Sequence, residues 1–175
     1  MIKKDNISLR AVEPSDADFL FSLENDQRLW HLSNTLIPFS RFDIEQYILL
    51  ADKDPFVAKQ LRLMVDMRKA DSPECVGTID LFNVEAKHRR AGIGITVIQA
   101  ERGKGIASSA LELMIDYAFN TLGLHQLYCN IEADNEVSIG LFEKYGFQIC
   151  GTKLAWNRRD DGWVDEHMYQ LINNL

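Results

Sequence analysis

The 175-residue sequence predicts an α/β fold: one domain with a mixed, mostly antiparallel sheet of about seven strands and helices on its faces. Three observations predict it. First, strand-like runs and helical periodicities follow one another in the order β-α-α-β-β-β-α-β-α-β-β. Second, the three central runs, Gln60–Met67, Val76–Val84 and Ala91–Ile98, are joined by the short turns Asp71-Ser72-Pro73 and Glu85-Ala86-Lys87. Connections that short favour an antiparallel meander over a parallel crossover. Third, the length suits one domain, 46% hydrophobic residues suffice for a core, and no repeat or Gly/Ser linker divides the chain from 1 to 175.

The elements follow in order. Ile7 to Val12 is the first strand, with Ile7, Leu9 and Ala11 on one face. Pro14-Ser15 opens a helix whose stripe is Ala17, Leu20, Phe21 and Leu23. Ser40 caps a second helix, with Asp43 completing a weaker form of the capping box. Between them, Leu29 to Phe39 is irregular and carries Trp30, Leu36, Ile37 and Phe39, either as a packed connection or as a pocket wall. After the meander a long helix carries Ala107, Ala110, Leu111, Met114, Ile115, Ala118, Phe119 and Leu122 on one wide stripe, with Gly123 as its C-cap. A strand at Gln126–Ile131, a short helix at Glu136–Tyr145 and strands at Phe147–Ala155 and Val164–Leu171 complete the chain.

Charge and composition narrow the function. Nineteen basic against 26 acidic residues give a formal charge of −7. A field of that sign repels nucleic-acid phosphates and anionic lipid, and suits cationic small molecules or basic peptides. Cys75, Cys129 and Cys150 have no disulfide or zinc spacing, and His31, His88, His125 and His167 are scattered, so no metal is expected. Neither a signal peptide nor an apolar run of membrane-spanning length is present, and the expected location is the cytoplasm. Self-association into a homo-oligomer is left open.

The informative segment is Thr96-Val97-Ile98-Gln99-Ala100-Glu101-Arg102-Gly103-Lys104-Gly105-Ile106-Ala107-Ser108. A strand ends, the chain turns through two glycines, and a strong helix begins. Unpaired N–H groups at the positive end of the helix dipole make an anion site suited to a phosphate or diphosphate. Gly103 and Gly105 let backbone approach the ligand, and Arg102 and Lys104 add charge from the sides. Neither a P-loop nor a dinucleotide fingerprint is complete here, since Gly105 follows Lys104 and no third glycine comes in the turn. Gly92 and Gly94, inside the preceding strand, mark a bulge or a close backbone approach. The turn does match Arg-x-x-Gly-x-Ala at Arg102, Gly105 and Ala107.

About thirty residues on lies Asn135-Glu136-Val137-Ser138-Ile139-Gly140-Leu141-Phe142-Glu143-Lys144-Tyr145-Gly146-Phe147. With both segments at this spacing, the chain resembles the GNAT (Gcn5-related N-acetyltransferase) superfamily, in particular its spermidine and ribosomal-protein alanine acetyltransferases. The resemblance runs from Ile7-Ser8-Leu9-Arg10 to Val164-Asp165-Glu166-His167-Met168-Tyr169. It implies a splayed central strand pair, formed here by Ala91–Ile98 and Gln126–Ile131, with acetyl-CoA as cosubstrate between them. The pantetheine arm would pair with backbone around Thr96, Val97 and Ile98. The diphosphate would sit on the amides of Arg102, Gly103, Lys104, Gly105, Ile106, Ala107 and Ser108. Asn135 is implied at the pantetheine, and it is equally suited to capping its own helix; Ser138 lines the same channel.

The implied reaction is direct acetyl transfer to a primary amine in a ternary complex, which requires an acceptor for the amine's proton and a donor for the departing thiolate. Here the chain departs from the pattern. The position of the usual proton-donating tyrosine carries Phe142, which leaves Tyr145 on about the same helical face as a displaced acid or as packing beneath Gly146. A glutamate common at the start of the splayed strand is replaced by Gly92. The remaining acidic candidate is Asp80, in Thr78-Ile79-Asp80-Leu81, which corresponds to a carboxylate position in spermidine acetyltransferases. Asp80 and the net charge favour a polyamine such as spermidine; the apolar Leu36-Ile37-Pro38 stretch stands against it. A protein or peptide N-terminus as acceptor, and a coenzyme A-binding module without turnover, are the alternatives. Trp156, Trp163 and Tyr169 serve as a cleft wall or as packing in the sheet, and Lys87-His88-Arg89-Arg90 as a solvated turn or an aid to phosphate binding.

Overall fold

The computed structural model describes residues 2–33, 35–50, 54–69, 72–160 and 162–173. Short β1 (Ile2–Lys4) and β2 (Ile7–Ala11) form a hairpin. A 3-10 turn at Pro14–Asp16 leads into α1 (Ala17–Glu24), followed by one-turn α2 (Trp30–Ser33), α3 (Arg41–Leu50) and one-turn α4 (Pro55–Ala58). The meander is β3 (Gln60–Arg68), β4 (Pro73–Glu85) and β5 (Arg90–Val97). Then come α5 (Ile106–Asp116) with a π-helical end at Tyr117–Thr121, β6 (Gln126–Glu132), α6 (Glu136–Lys144), β7 (Gln148–Arg159) and β8 (Gly162–Ile172). The strands join in one sheet in the order β1-β2-β3-β4-β5-β6-β8-β7, antiparallel except for β5 with β6.

The strand count among the described residues is eight, one more than expected. Ile2-Lys3-Lys4 is too short and polar to show alternation, and it becomes a strand by pairing with β2 and by the Lys4–Glu112 ion pair to α5. The segment Leu29–Phe39, expected to be irregular, contains α2, which Trp30 fastens by donating from Nε1 to the Glu24 carbonyl at 2.9 Å. The turn at Asp71-Ser72-Pro73 is only partly visible, because Asp71 lies outside the described residues. The Ser40–Asp43 capping box is present: the Asp43 N–H donates to Ser40 Oγ at 3.1 Å, and the Ser40 N–H donates to Asp43 at 3.0 Å.

Strand alternation fixes which face each helix covers. Leu63 and Val65 of β3 join Ile7, Leu9, Ile79, Leu81 and Ile93 beneath α5, whose Ile106, Ala110, Leu111 and Met114 are buried. Met64 points the other way, into a smaller core with Ala17, Leu20, Ile44 and Ile48 from α1 and α3. Phe21, expected in the stripe of α1, is half exposed instead, and Ala11 is exposed at the end of β2. On the α1/α3 face Arg62, Asp80 and Gly94 form one cross-strand row, with Phe82 opposite Gly92 in the next. That face carries the site.

Candidate active site

The cleft begins where two parallel strands part. β5 and β6 are in register only at Arg90↔Gln126, Ala91↔Leu127 and Gly92↔Tyr128. Beyond that point β5 stays on β4 as far as Val97↔Gly77, and β6 stays on β8 as far as Glu132↔Glu166. From Ile93 onward, the backbone groups that β5 would offer a neighbour meet no strand, and such an edge suits an extended chain of amides. The opening holds about 650 Å³; Ile93, Gly94, Ile95 and Thr96 line one side, Cys129 to Glu132 the other, and Asn135, Ser138 and Phe142 of α6 also face it.

Past the end of β5 the chain turns into α5. Gly103 and Gly105 have φ of +76° and +78°, and a Cβ built on either has no atom within 4 Å. The turn is exposed, and Gly105 is the N-cap of α5, so the amides of the first helical turn face solvent without intrahelical partners. Arg102 ties this turn to the strand, donating from Nε to the Val97 carbonyl at 2.9 Å. Lys104 is held by Glu101 at 2.8 Å, and Lys69 contacts the same carboxylate at 3.4 Å. What the turn offers an anion is therefore chiefly backbone, with the lysine charge already partly offset.

A second set of groups occupies the α1/α3 end. Arg62 donates from Nε to Asp80 at 2.6 Å and from Nη1 to Glu24 at 2.5 Å, and its guanidinium lies 5.3 Å from the Tyr47 ring centroid. Burial pushes the Asp80 carboxyl above its usual range, against the pull of Arg62 and with the help of Glu24. Burial works against the Arg62 charge, yet the two carboxylates outweigh it and its pKa is raised. Glu24, Tyr47, Arg62 and Asp80 all line the cleft. Across it, Lys153 bonds Glu166 at 2.6 Å and lies 5.0 Å over the Trp156 ring, while Arg159 contacts the buried Glu132. Burial pushes the thiol of Cys129, on the cleft wall, up to about 12.

A family profile described as an acetyltransferase (GNAT) domain matches residues 6–148, most of the chain. The chain belongs to the GNAT acetyltransferases. As a GNAT enzyme it is an acyltransferase that takes acetyl-CoA as acetyl donor. It is 28% identical over 176 residues to the uncharacterized N-acetyltransferase YoaA of Bacillus subtilis, covering 98% of this chain and 96% of that one. It is 29% identical over 149 residues to the spermidine N(1)-acetyltransferase of Escherichia coli K12, covering 83% and 75%. The crystal structure of spermidine N-acetyltransferase from Vibrio cholerae in complex with CoA and spermine superposes with a TM-score of 0.85 at 22% identity, covering 97% and 96%.

The splayed pair and the glycine turn fit such a donor: one leaves a strand edge unpaired, the other leaves space where side chains would stand. Of the expected site residues, Asp80, Thr96, Asn135, Ser138 and Phe142 line one cleft. Asn135 also caps α6, accepting from the Ser138 N–H at 3.2 Å. Ile98 falls just past the strand, donating its N–H to the Val76 carbonyl at 2.9 Å. Tyr145 is not brought to the cleft. Its hydroxyl lies 2.8 Å from Ser108 Oγ and donates to Glu112 at 3.3 Å, across the contact of α6 with α5. One helical turn beyond Phe142, its hydroxyl meets the neighbouring helix, an arrangement that favours the packing alternative over the displaced acid. Trp156 lines the cleft, whereas Tyr169 is buried and Trp163 is 63% exposed outside it. Gly92 is a close approach, for a Cβ there would stand 2.2 Å from the Phe82 ring. Sequence reasoning missed Glu24, Tyr47 and Arg62, although a charged Arg62 inside the apolar Leu61-Arg62-Leu63-Met64 run was a signal.

Among the described residues no group of three His, Cys, Asp or Glu side chains is arranged to hold a metal ion, and no helix is long and apolar enough to cross a membrane.

Proposed function

We propose that the chain acetylates a primary amine by direct attack within a ternary complex, and that the acceptor is a polyamine such as spermidine. The observation that carries this reading is the charge of the cleft. Glu24, Asp80, Glu132 and Glu166 line it against Arg62 and Lys153, and with Arg159 behind Glu132 the carboxylates still outnumber the cations by four to three. A pocket with that surplus favours a polycation. The E. coli relative and the Vibrio cholerae neighbour, a spermidine enzyme and one bound to CoA and spermine, agree with it.

Acetyl-CoA, when bound, supplies an activated thioester. The residues do the rest. The glycine turn from Arg102 to Ser108 takes the diphosphate, and the free edge of β5 around Thr96 and Val97 takes the pantetheine amides. Asp80 stands opposite Gly94 in the row leading to that edge, where it draws in an ammonium and accepts its proton. A β5 backbone N–H stabilises the developing oxyanion. Phe142 excludes water at the α6 wall and offers no proton, so water carried along the polar lining serves the leaving thiolate. The Cys129 thiol, held protonated at neutral pH, is unsuited to forming an acyl-enzyme.

The rim favours a second reading. Leu36 and Ile37, which follow the cleft-lining residues of α2 in the chain, are 89% and 72% exposed, an apolar surface suited to a peptide. Release of free thiol from acetyl-CoA against spermidine, spermine, amino acids and basic peptides decides. Turnover of the polyamines supports the first reading; turnover of peptides alone selects the second; CoA binding with no turnover on any amine overturns both.

A further inference from the structure

Asp80 does not stand alone. It is held by a residue from each of two neighbouring elements, Arg62 from β3 and, through Arg62, Glu24 from α1, while Tyr47 from α3 lies against the guanidinium. The pairing Arg62↔Asp80 is a direct cross-strand contact, so their Cα positions are fixed by the sheet. On the other side Asp80 faces Gly94, which has no side chain to block it from the cleft. The Glu24 backbone is anchored as well, its carbonyl accepting the Trp30 indole N–H, while its carboxylate is held by Arg62.

We propose that Arg62 and Glu24 are positioning residues for Asp80: the guanidinium, gripped by Glu24 and seated on Tyr47, aims one carboxylate at the amine and leaves the trio with a single net negative charge. This rests on the role of Asp80 stated above. Two carboxylates around one guanidinium sum to −1, which matches one ammonium. Were the arginine removed, two carboxylates would share a partly desolvated site, and one of them would take up a proton. Were Glu24 removed, Arg62 would neutralise Asp80 outright. The two partners therefore act on Asp80 in opposite senses. The remaining titratable groups of the cleft, His31, Cys129, Glu132, Lys153 and Glu166, come from other elements; Lys153 offsets Glu166 and Arg159 offsets Glu132.

The test is the pH profile of kcat/KM for spermidine (or for the best amine of the panel, should spermidine be inert) at saturating acetyl-CoA. The acidic limb of that profile reports the essential base of the free enzyme. Arg62→Gln should move the limb to higher pH, Glu24→Gln should move it to lower pH, and Asp80→Asn should remove it. The KM for acetyl-CoA should change by less than about twofold in all three, while Arg62→Gln loses about tenfold or more in kcat/KM for the amine. Arg62→Lys, which keeps the charge and loses the fork, should restore the limb without the full rate. If Asp80→Asn removes the limb but the Arg62 and Glu24 variants leave it in place or move it the same way, the positioning role is wrong and the role of Asp80 survives. If Asp80→Asn keeps the limb, the reading of Asp80 itself fails. Should Arg62→Gln not fold, the isosteric change Glu24→Gln carries the test, and an unmoved limb there overturns the proposal.

Discussion

Gly105→Ala and Gly105→Glu test the donor cradle, and the structure sets the size of each effect. Gly105 sits at φ +78°, ψ 0°, where an L-residue costs about 1–2 kcal/mol. No atom lies within 4 Å of a Cβ at this site, so no steric term adds to that cost. For a chain of this size each kcal/mol lowers Tm by about 2–4 °C, and the alanine variant should melt about 2–8 °C below the parent. Gly123→Ala is the control: its φ of +64° carries a similar backbone cost, again with no atom within 4 Å, at the far end of the helix. Both alanine variants should lose similar stability in thermal melts followed by circular dichroism. Only the Gly105 variants should lose CoA affinity in isothermal titration calorimetry. The glutamate places an anion against the first-turn amides, and a like-charge contact near a surface is worth about 4 kcal/mol at 4 Å, so its CoA affinity should fall by about 100-fold or more. Wild-type affinity in Gly105→Glu, or equal losses in Gly123→Ala, would refute the placement of the diphosphate.

Other changes have outcomes that can be measured directly. Gly77→Ala would set a Cβ 2.2 Å from the Thr96 carbonyl oxygen, forcing β4 from β5; it should cost about 1–3 kcal/mol in urea unfolding and weaken CoA binding through the displaced edge. Tyr145→Phe removes the hydroxyl shared with Ser108 and Glu112 and should cost about 0.5–1.5 kcal/mol with kcat unchanged; a fall in kcat would return that tyrosine to the chemistry. Phe142→Tyr puts a proton donor on the cleft wall and should raise kcat, by up to about tenfold, if protonation of the thiolate limits turnover; an unchanged kcat shows that it does not. Arg10→Met strands the buried carboxylates Asp16 and Asp66, and denaturant titration should show a loss of about 3–5 kcal/mol. Burial opposes the charge of Asp16, but Arg10 and the Glu13 amide outweigh it and depress its pKa. Its contribution is therefore fully present above the ordinary carboxylate range and fades as pH falls below that range through the depressed folded-state value, so the parent and Arg10→Met should converge in acid.

The parts legible in the sequence were those set by local periodicity. The meander, the long helix and the glycine turn follow from alternation, from a 3.6-residue stripe and from residues tolerant of positive φ, and the structure matches them closely. Ends and short pieces were less legible. β1 exists because β2 and α5 hold it, and α2 because Trp30 reaches back to Glu24, neither of which leaves a periodic trace. The site divides the same way. Thr96, Asn135 and Ser138 could be placed because they sit at fixed offsets from the turn and the short helix. Arg62 and Glu24 could not, because their meeting with Asp80 depends on sheet register and on the approach of α1, with Glu24 and Arg62 38 positions apart in sequence. Tyr145 shows the opposite error: one turn of helix keeps a residue on about the same face, yet carries its hydroxyl onto α5.

The substitutions that remove expected acids are also what shape this cleft. On the α1/α3 face of β5, Gly92 and Gly94 present no side chains, and each vacancy is used differently. The Phe82 ring fills the space over Gly92, so a glutamate there would require that ring to leave, and the ring's edge-to-face contact with Tyr128 would go with it. Over Gly94 the same ring only comes to ordinary contact distance, 3.7 Å from a built Cβ, and the neighbour across the strand pair is Asp80. The carboxylate of this row is therefore the one on β4, at a depth where it would be costly unless a cation met it. Arg62 meets it, and Glu24 bonds the same guanidinium. An acid at position 92 would have to displace the Phe82 ring, which also lies beside Gly94 on the cleft wall, so a carboxylate on β5 and the present wall next to Asp80 exclude one another.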